Sequence, residues 1–243
     1  MRLLVPAAAL AAGRAEVSGD DHHYLFRVRR LAPGAAVVVF DGEGHEADAV
    51  VEAVEAARAT LRIGPARVEP APRPRLTVIQ GLIKGERMDW CVQKLVEVGV
   101  DEIVVVATAR AVVRLDAARA ASRTARLQAI AREAAKQARR ATVPTVTLAP
   151  GGVAAAAAAA DEELKLLCHP GAAASLGAHL GTAAASVVLL VGPEGGLAPE
   201  EVEAAASAGF EAVRLGATVL RAETAGVAAV AAFRIADTTT GNH

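Results

Sequence analysis

The chain has 243 residues, 53% of them hydrophobic but only 2% aromatic, and a formal net charge of −1. Its apolar mass suffices for a core in one large domain or two modest ones, whereas one Trp, one Tyr and four Phe exclude a nucleic-acid face built mainly on stacked rings. The near-neutral balance excludes a uniformly basic polyanion binder, and two cysteines far apart, Cys91 and Cys168, exclude a disulfide framework or a zinc site and indicate a reducing cytosol.

The first ten residues carry Arg2 and Pro6, and their apolar stretch breaks at Gly13 and Arg14. Neither a signal peptide nor a membrane span is expected, and the chain reads as cytoplasmic. Val37–Phe40 is a β-branched run ending in the turn Asp41-Gly42. Ala47–Val54 and Ala59–Ile63 follow, with further turns at Pro33-Gly34 and Gly64-Pro65. Short strands at this spacing predict a small β-barrel of about 70 residues. Residues 69–75, Glu-Pro-Ala-Pro-Arg-Pro-Arg, forbid a continuous helix and mark a domain boundary. The chain divides there into 1–72 and 73–243.

Beyond the boundary, apolar runs alternate with helical stretches. Leu76–Leu82 precedes a helix over Met88–Val98, in which Met88 and Trp90 are assigned to the core. Ile103–Val106 precedes a long helix over Ala117–Arg139, and Val146–Leu148 an Ala-rich one over Val153–Glu163. Leu164–Cys168 leads to a helical segment over Ala172–Gly181, and Val187–Val191 to a helix over Pro199–Ala208. Ala212–Leu215 and a last helix over Thr224–Ala236 complete the pattern. This alternation predicts an α/β domain with a mainly parallel sheet covered on both faces. Between Arg110 and Arg140, eight arginines and Lys136 stand against only Asp116 and Glu133. Such a stripe on a neutral protein suits a steered polyanion site; a solvated helix face is an equally simple account.

Two motifs carry chemistry. The first, Val191-Gly192-Pro193-Glu194-Gly195-Gly196-Leu197, is a glycine loop between a buried strand and a helix, where main chain can approach a ligand closely at the carboxyl end of a parallel strand. Pro199 suits the first helical turn, and Glu200 and Glu201 complement its dipole. No Gly-Lys-Ser/Thr phosphate loop is present, and the glycines do not fit G-x-G-x-x-G. Three nearby glutamates disfavour a phosphate, so the loop suits a neutral or cationic ligand. The second motif, Leu215-Gly216-Ala217-Thr218-Val219-Leu220-Arg221-Ala222-Glu223-Thr224-Ala225, sets an Arg-x-Glu-Thr cluster at the entrance to the last helix, with Thr224 as its expected cap.

Gly-Pro-Glu-Gly-Gly at 192–196 followed by Leu-Gly-x-x-Val-Leu-Arg-x-Glu-Thr-Ala at 215–225 closely resembles the knotted SPOUT methyltransferases. Lys84 to Trp90, Gln93-Lys94, Glu97-x-Gly99-Val100, Arg110, Arg126, Glu133-Ala134, Gln137, Arg140, Val143-Pro144 and, near the start, His22-His23 with Val28-x-Arg30 narrow this to the RsmE family of 16S ribosomal RNA uracil-N3 methyltransferases. The resemblance runs from about residue 2 to residue 235. Departures from the family pattern are Lys136 and Arg139, which make the stripe more basic; apolar Ala111–Val113; and Ala198 in place of a Ser or Thr cap, a loss of roughly 1 kcal/mol.

The resemblance implies a PUA-like β-barrel, then an α/β trefoil-knot domain, a homodimer, S-adenosyl-L-methionine as cofactor, and 16S ribosomal RNA of the small subunit as partner, with no metal and no membrane. It places the cofactor among Leu167, His169, Gly192, Pro193, Glu194, Gly195, Gly196, Leu215, Gly216, Val219, Leu220, Arg221, Thr224 and Ala225. Arg110 and Arg221 are candidates to stabilise charge on the acceptor base, and Glu223, Glu194 or water to take its proton. Arg27, Arg29 and Arg30 of the barrel and Arg114, Arg119, Arg123, Arg126 and Arg140 of the stripe are candidates for phosphates. His169 is expected to be a pocket wall, and His22 and His23 to shape the barrel. Two other classes compete: a non-catalytic RNA-binding or ribosome-assembly protein that keeps the knot as scaffold, and an ordinary nucleotide-binding α/β enzyme. The last lacks both a phosphate loop and an acidic ribose clamp.

Overall fold

The computed structural model describes residues 1–110, 117–181 and 183–240. The chain forms two compact units, Met1–Ala71 with Ala135–Val143, and Pro72–Ala134 with Pro144–His243.

In the first unit, β1 (Arg2–Leu4), α1 (Ala7–Ala11), β2 (Arg14–Ser18), α2 (Gly19–His22) and a π-helical turn over His23–Val28 precede β3 (Ala36–Phe40), β4 (His45–Val54), β5 (Arg58–Ile63) and β6 (Arg67–Val68). The sheet runs β1-β3-β4-β5-β2, with β6 on β4; β1 joins β3 in parallel and the other pairs are antiparallel. Strand alternation turns Val37, Val39, Ala47, Ala49, Val51, Ala59, Leu61 and Ile63 to one core, the two-residue period expected of a half-buried sheet. His22 is buried, its Nε2 3.2 Å from the Glu55 carbonyl and its ring 5.2 Å from that of Phe26, so it shapes the core. Composition gives no sign of the chain's return at Ala135–Val143. There the Ala141 N–H donates to Glu69 (2.6 Å) and the Val143 N–H to the Gly42 carbonyl (2.8 Å).

The second unit contains β7 (Arg75–Gly81), α3 (Glu86–Glu97), β8 (Glu102–Val106), most of α4 (Ala117–Gln137), β9 (Thr145–Ala149), α5 (Gly152–Ala159), β10 (Leu164–Cys168), β11 (Ala174–Ser175), β12 (Ser186–Val191), α6 (Pro199–Ser207), β13 (Glu211–Arg214) and α7 (Ala222–Thr240). Among the described residues, seven strands run in the order β11-β13-β10-β12-β7-β8-β9, every pair parallel. β12 lies in the middle, and Val187, Val188, Leu189 and Leu190 are fully buried, each stabilising the fold by about 1.5–3 kcal/mol relative to exposure. Two expectations fail. The segment 172–181 is not a helix but β11 and a 3-10 turn over Leu176–His179; Gly171, Gly177 and Gly181 weaken a helix, and Ser175 accepts the Gly177 N–H (3.3 Å) to cap the short turn instead. Met88 is in the core but Trp90 is 42% exposed, because on α3 it faces away from the sheet-side row Met88, Cys91, Val92, Leu95 and Val96.

Two polar clamps fix the helices on this sheet. Arg234 of α7 donates to the carbonyls of Gly99 (2.8 and 2.9 Å) and Pro74 (2.6 Å) and to Asp101 (2.5 Å). The Asp101 carboxylate in turn accepts the Leu76 N–H (2.8 Å). Lys165 donates to Ala160 O (2.6 Å) and Ala208 O (3.3 Å), satisfying carbonyls left over where α5 and α6 end.

Candidate functional site

The carboxyl ends of β10, β12 and β13 face a cavity of about 510 Å3, walled by three loops: Leu167 to Pro170, Val191 to Leu197, and Leu215 to Ala225. It is where an open α/β sheet binds its ligand. Of the expected cofactor positions, Leu167, His169, Gly192, Pro193, Glu194, Gly195, Gly196, Leu215, Gly216, Val219, Leu220, Arg221 and Ala225 line it, together with Arg110 and Glu223. Thr224 does not. α7 begins at Ala222, so Thr224 sits inside the first turn, its N–H bonded to Arg221 O (2.9 Å). Arg221, not Thr224, takes the cap position.

Close approach shapes the 192–197 loop. A Cβ on Gly81, at the end of β7, would lie 2.7 Å from Pro193 N and 2.8 Å from Pro193 Cδ, and one on Gly192 would meet Leu197 at 3.2 Å. Gly196 has φ +71°, a left-handed conformation that glycine adopts without cost, and its N–H closes a turn on Pro193 O (2.9 Å). Ala198 has no side-chain acceptor. Glu201, in the first turn of α6, supplies the reciprocal half of a capping box, taking the Ala198 N–H on Oε2 (2.8 Å).

The charged side chains among the described residues of the cavity are three arginines and two glutamates. Arg87 Nη2 lies 2.6 Å from Glu194 Oε1. Arg110 donates to Gly195 O at 3.2 Å. Arg221 is largely exposed, 3.9 Å from Glu223 Oε1. Glu223 is only 7% exposed, and its Oε2 has no hydrogen-bond partner among the described residues. A buried acceptor without a donor is costly and marks a place where a ligand donor fits. The His169 Nδ1 accepts the Gly171 N–H (3.2 Å), which leaves the ring as a wall. Burial pushes the Cys168 thiol up to about 12. The Cys91 thiol, which donates to Gln80 Oε1 at 3.7 Å, is also pushed up to about 12, by burial first and by the charge of Glu223 second. Neither is a thiolate nucleophile near neutrality. Among the described residues no group of three His, Cys, Asp or Glu gathers as metal ligands, and no helix is long and apolar enough to cross a membrane.

Of the other expected arginines, none that the structure describes is among the residues lining this cavity. Arg27 of the first unit donates to Ala56 O (3.1 Å), Arg29 and Arg30 are exposed, and Arg140 reaches Thr142 Oγ1 (3.4 Å). On α4, Arg119 is exposed, but Arg123 donates to Ile83 O (3.1 Å) and Arg126 to Asp89 (2.5 Å), so that face is partly engaged within the protein. Arg114, and the apolar departure Ala111–Val113, lie outside the described residues. Sequence reasoning gave Arg87 no place in the site, and missed Gly81 and the double role of Glu201. The first two signals were legible only as the run Gly81 to Arg87 leading from a strand into a helix.

Fold and cavity together define an α/β protein that holds a small ligand in loops at the carboxyl end of a parallel sheet. Residues 69–234 match the family model described as an RNA methyltransferase domain, and residues 17–64 that of an RNA methyltransferase PUA domain; the chain belongs to this RNA methyltransferase family. It is 38% identical over 233 residues to the ribosomal RNA small subunit methyltransferase E of Mycobacterium bovis, covering 91% of this chain and 86% of that protein. The crystal structure of a ribosomal RNA small subunit methyltransferase E from Neisseria gonorrhoeae bound to S-adenosyl methionine superposes with a TM-score of 0.85 at 33% identity, covering 96% of both chains. A methyltransferase of Legionella pneumophila in complex with the same cofactor gives a TM-score of 0.86 at 28% identity over 97% of each chain.

Proposed function

We propose that the protein methylates N3 of a specific uridine in 16S ribosomal RNA of the small subunit, in the cytoplasm, using S-adenosyl-L-methionine. The observation that carries this reading is the convergence of the three loops on one cavity. Its volume falls within the roughly 300–1,000 Å3 usual for small-molecule sites, and the cofactor bound by the two structural relatives supports the choice of ligand. The residues fit that ligand. Main-chain groups of Gly192, Gly196, Leu215 and Leu220 would hold adenine and ribose, no lysine-bearing phosphate loop is present, and the Glu223 carboxylate has a spare acceptor. When bound, the cofactor supplies a methyl group already activated on a sulfonium.

The protein's task is then alignment, which can be worth roughly 7–11 kcal/mol, and deprotonation of the acceptor. Uracil N3–H is a weak acid. Arg110 and Arg221 would stabilise the charge that develops on the base's carbonyl oxygens, and Glu223, with its unpartnered oxygen, would take the proton. The base must leave its stack to reach the cavity. Arg27, Arg29, Arg30, Arg114, Arg119, Arg123, Arg126 and Arg140 would hold backbone phosphates. The exposed Trp90 on α3 and Ile235 on α7, two helices packed together, support a homodimer through that face. The final crossover, from β13 beside β10 to α7 against β7 and β12, supports the trefoil knot.

Calorimetry with S-adenosylmethionine tests the site: binding by the wild type and its loss in Gly192→Val are expected. Absence of binding by the wild type would favour the non-catalytic scaffold. Mass spectrometry of ribosomal RNA from a deletion strain tests the target, and loss of a methyl at any position but a uracil N3 would reject it.

A further inference from the structure

We infer that Glu201 is a positioning residue, which holds Arg110 in place by tying the segment that carries it to the 192–197 loop. The inference rests on the reading that Arg110 faces the acceptor base. Glu201 Oε1 accepts the Ala109 N–H at 2.8 Å, and Oε2 accepts the Ala198 N–H at 2.8 Å. Arg110 itself donates from Nη1 to Gly195 O at 3.2 Å. These three bonds close a ring from α6 through the Ala109–Arg110 segment to the glycine loop and back to α6.

The residue type matters. β8 ends at Val106, so the strand ladder does not reach Ala109. A carboxylate has two acceptor oxygens and no donor when ionised, so one side chain can take both main-chain N–H groups. A Ser or Thr at 198 would cap α6 in the ordinary way but would not reach across to Ala109. Such a cap would accept an N–H of the first turn and would leave the Ala198 N–H untouched, so Glu201 alone takes the N–H groups of both Ala198 and Ala109. Hydrogen bonds to an ionised acceptor are about twice as strong as neutral ones, which suits a bond that must localise a flexible guanidinium.

The test separates positioning from capping. Glu201→Ala is expected to lower turnover about tenfold, to lower Tm, and to speed hydrogen–deuterium exchange at the amides of Ala109 and Arg110 in the absence of cofactor and RNA. Adding Ala198→Ser to Glu201→Ala should restore Tm but not turnover. Arg110→Ala alone should lower turnover at least as far, and adding Glu201→Ala to it should change turnover less than twofold, because the two act as one unit. Additive losses, unchanged exchange at Ala109, or turnover regained together with Tm would each overturn the inference. Full turnover in Arg110→Ala would overturn the reading of Arg110 and this inference with it. Reduced turnover with additive losses would overturn this inference alone.

Discussion

Replacing Gly81 by alanine should damage cofactor binding from outside the cavity, since Gly81 is not among the residues that line it. The added Cβ would sit 2.7 Å from Pro193 N, 2.8 Å from Pro193 Cδ and 3.0 Å from Gly192 C. Side-chain contacts below about 3.5 Å between carbons are repulsive, and two of these three neighbours are backbone atoms that no rotamer change can move. The Gly81 backbone carries no positive φ, so alanine itself is unstrained there and the whole cost falls on the loop. Overpacking of this kind costs about 1–3 kcal/mol. Because the loop must keep its shape to hold the ligand, that cost is expected in binding. At 1.4 kcal/mol per tenfold, S-adenosylmethionine affinity should fall between about fivefold and about 150-fold by calorimetry. Gly177→Ala, whose Cβ would meet only Ser175 Oγ at 3.6 Å, is the control. Binding by Gly81→Ala within twofold of wild type would refute the argument that this close approach sets the loop.

Three further outcomes follow from particular contacts. Glu223→Gln should lower turnover by about 10²–10⁴ if Glu223 takes the proton while leaving cofactor affinity within a few-fold; equal losses in both would make it a structural residue. Arg234→Met should lower unfolding free energy in denaturant titrations by about 2–4 kcal/mol, since Asp101 and the carbonyls of Gly99 and Pro74 all lose a donor; a loss under 1 kcal/mol would show that water replaces the guanidinium. Asp41 should contribute to acid unfolding. Burial opposes its ionisation, but the N–H groups of Glu43 (2.7 Å) and His45 (3.1 Å) and the His45 ring (2.7 Å) outweigh that and hold its carboxyl below the ordinary value of 3.8. A depressed pKa gives stability that is complete above the unfolded value and lost as pH falls from there through the lower folded value, so Asp41→Asn should narrow the stability difference between pH 6 and pH 3; an unchanged difference would exclude the group.

What the sequence revealed depended on how local its cause was. The parallel strands other than the two-residue β11 were legible because a strand buried on both faces is a continuous apolar run, as Val187–Leu190 shows. The two ligand loops were legible because glycine spacing and the Arg-x-Glu cluster are contiguous. The first unit was read only through β3, β4 and β5; β1 is three residues long, too short to show a period, β2 turns only Ala15 and Val17 to the core between polar residues, and the π-helical turn over His23–Val28 has no composition of its own. The return of Ala135–Val143 and the ring through Glu201 join segments far apart in the chain, and no local pattern records them. Trp90 was misplaced because residue type suggested burial, whereas helical phase put it opposite Met88's neighbours in the core.

The same distinction orders the site. Apart from Arg87 and Arg110, the residues that face the cavity come from contiguous motifs, but the groups that fix them do not: Gly81 presses on Pro193 from β7, Arg87 reaches Glu194 from α3, Glu201 ties Ala109 to α6, and Arg234 anchors α7, which carries Glu223, to the starts of β7 and β8. Each anchor belongs to a helix or a strand end and not to a loop. Catalytic groups held on rigid elements lose less entropy on binding than groups that must first be ordered. Substitutions at Gly81, Glu201 and Arg234, none of which lines the cavity, should therefore impair ligand binding or turnover with little change in the lining itself, whereas substitutions within the lining, Arg87 included, remove contacts outright.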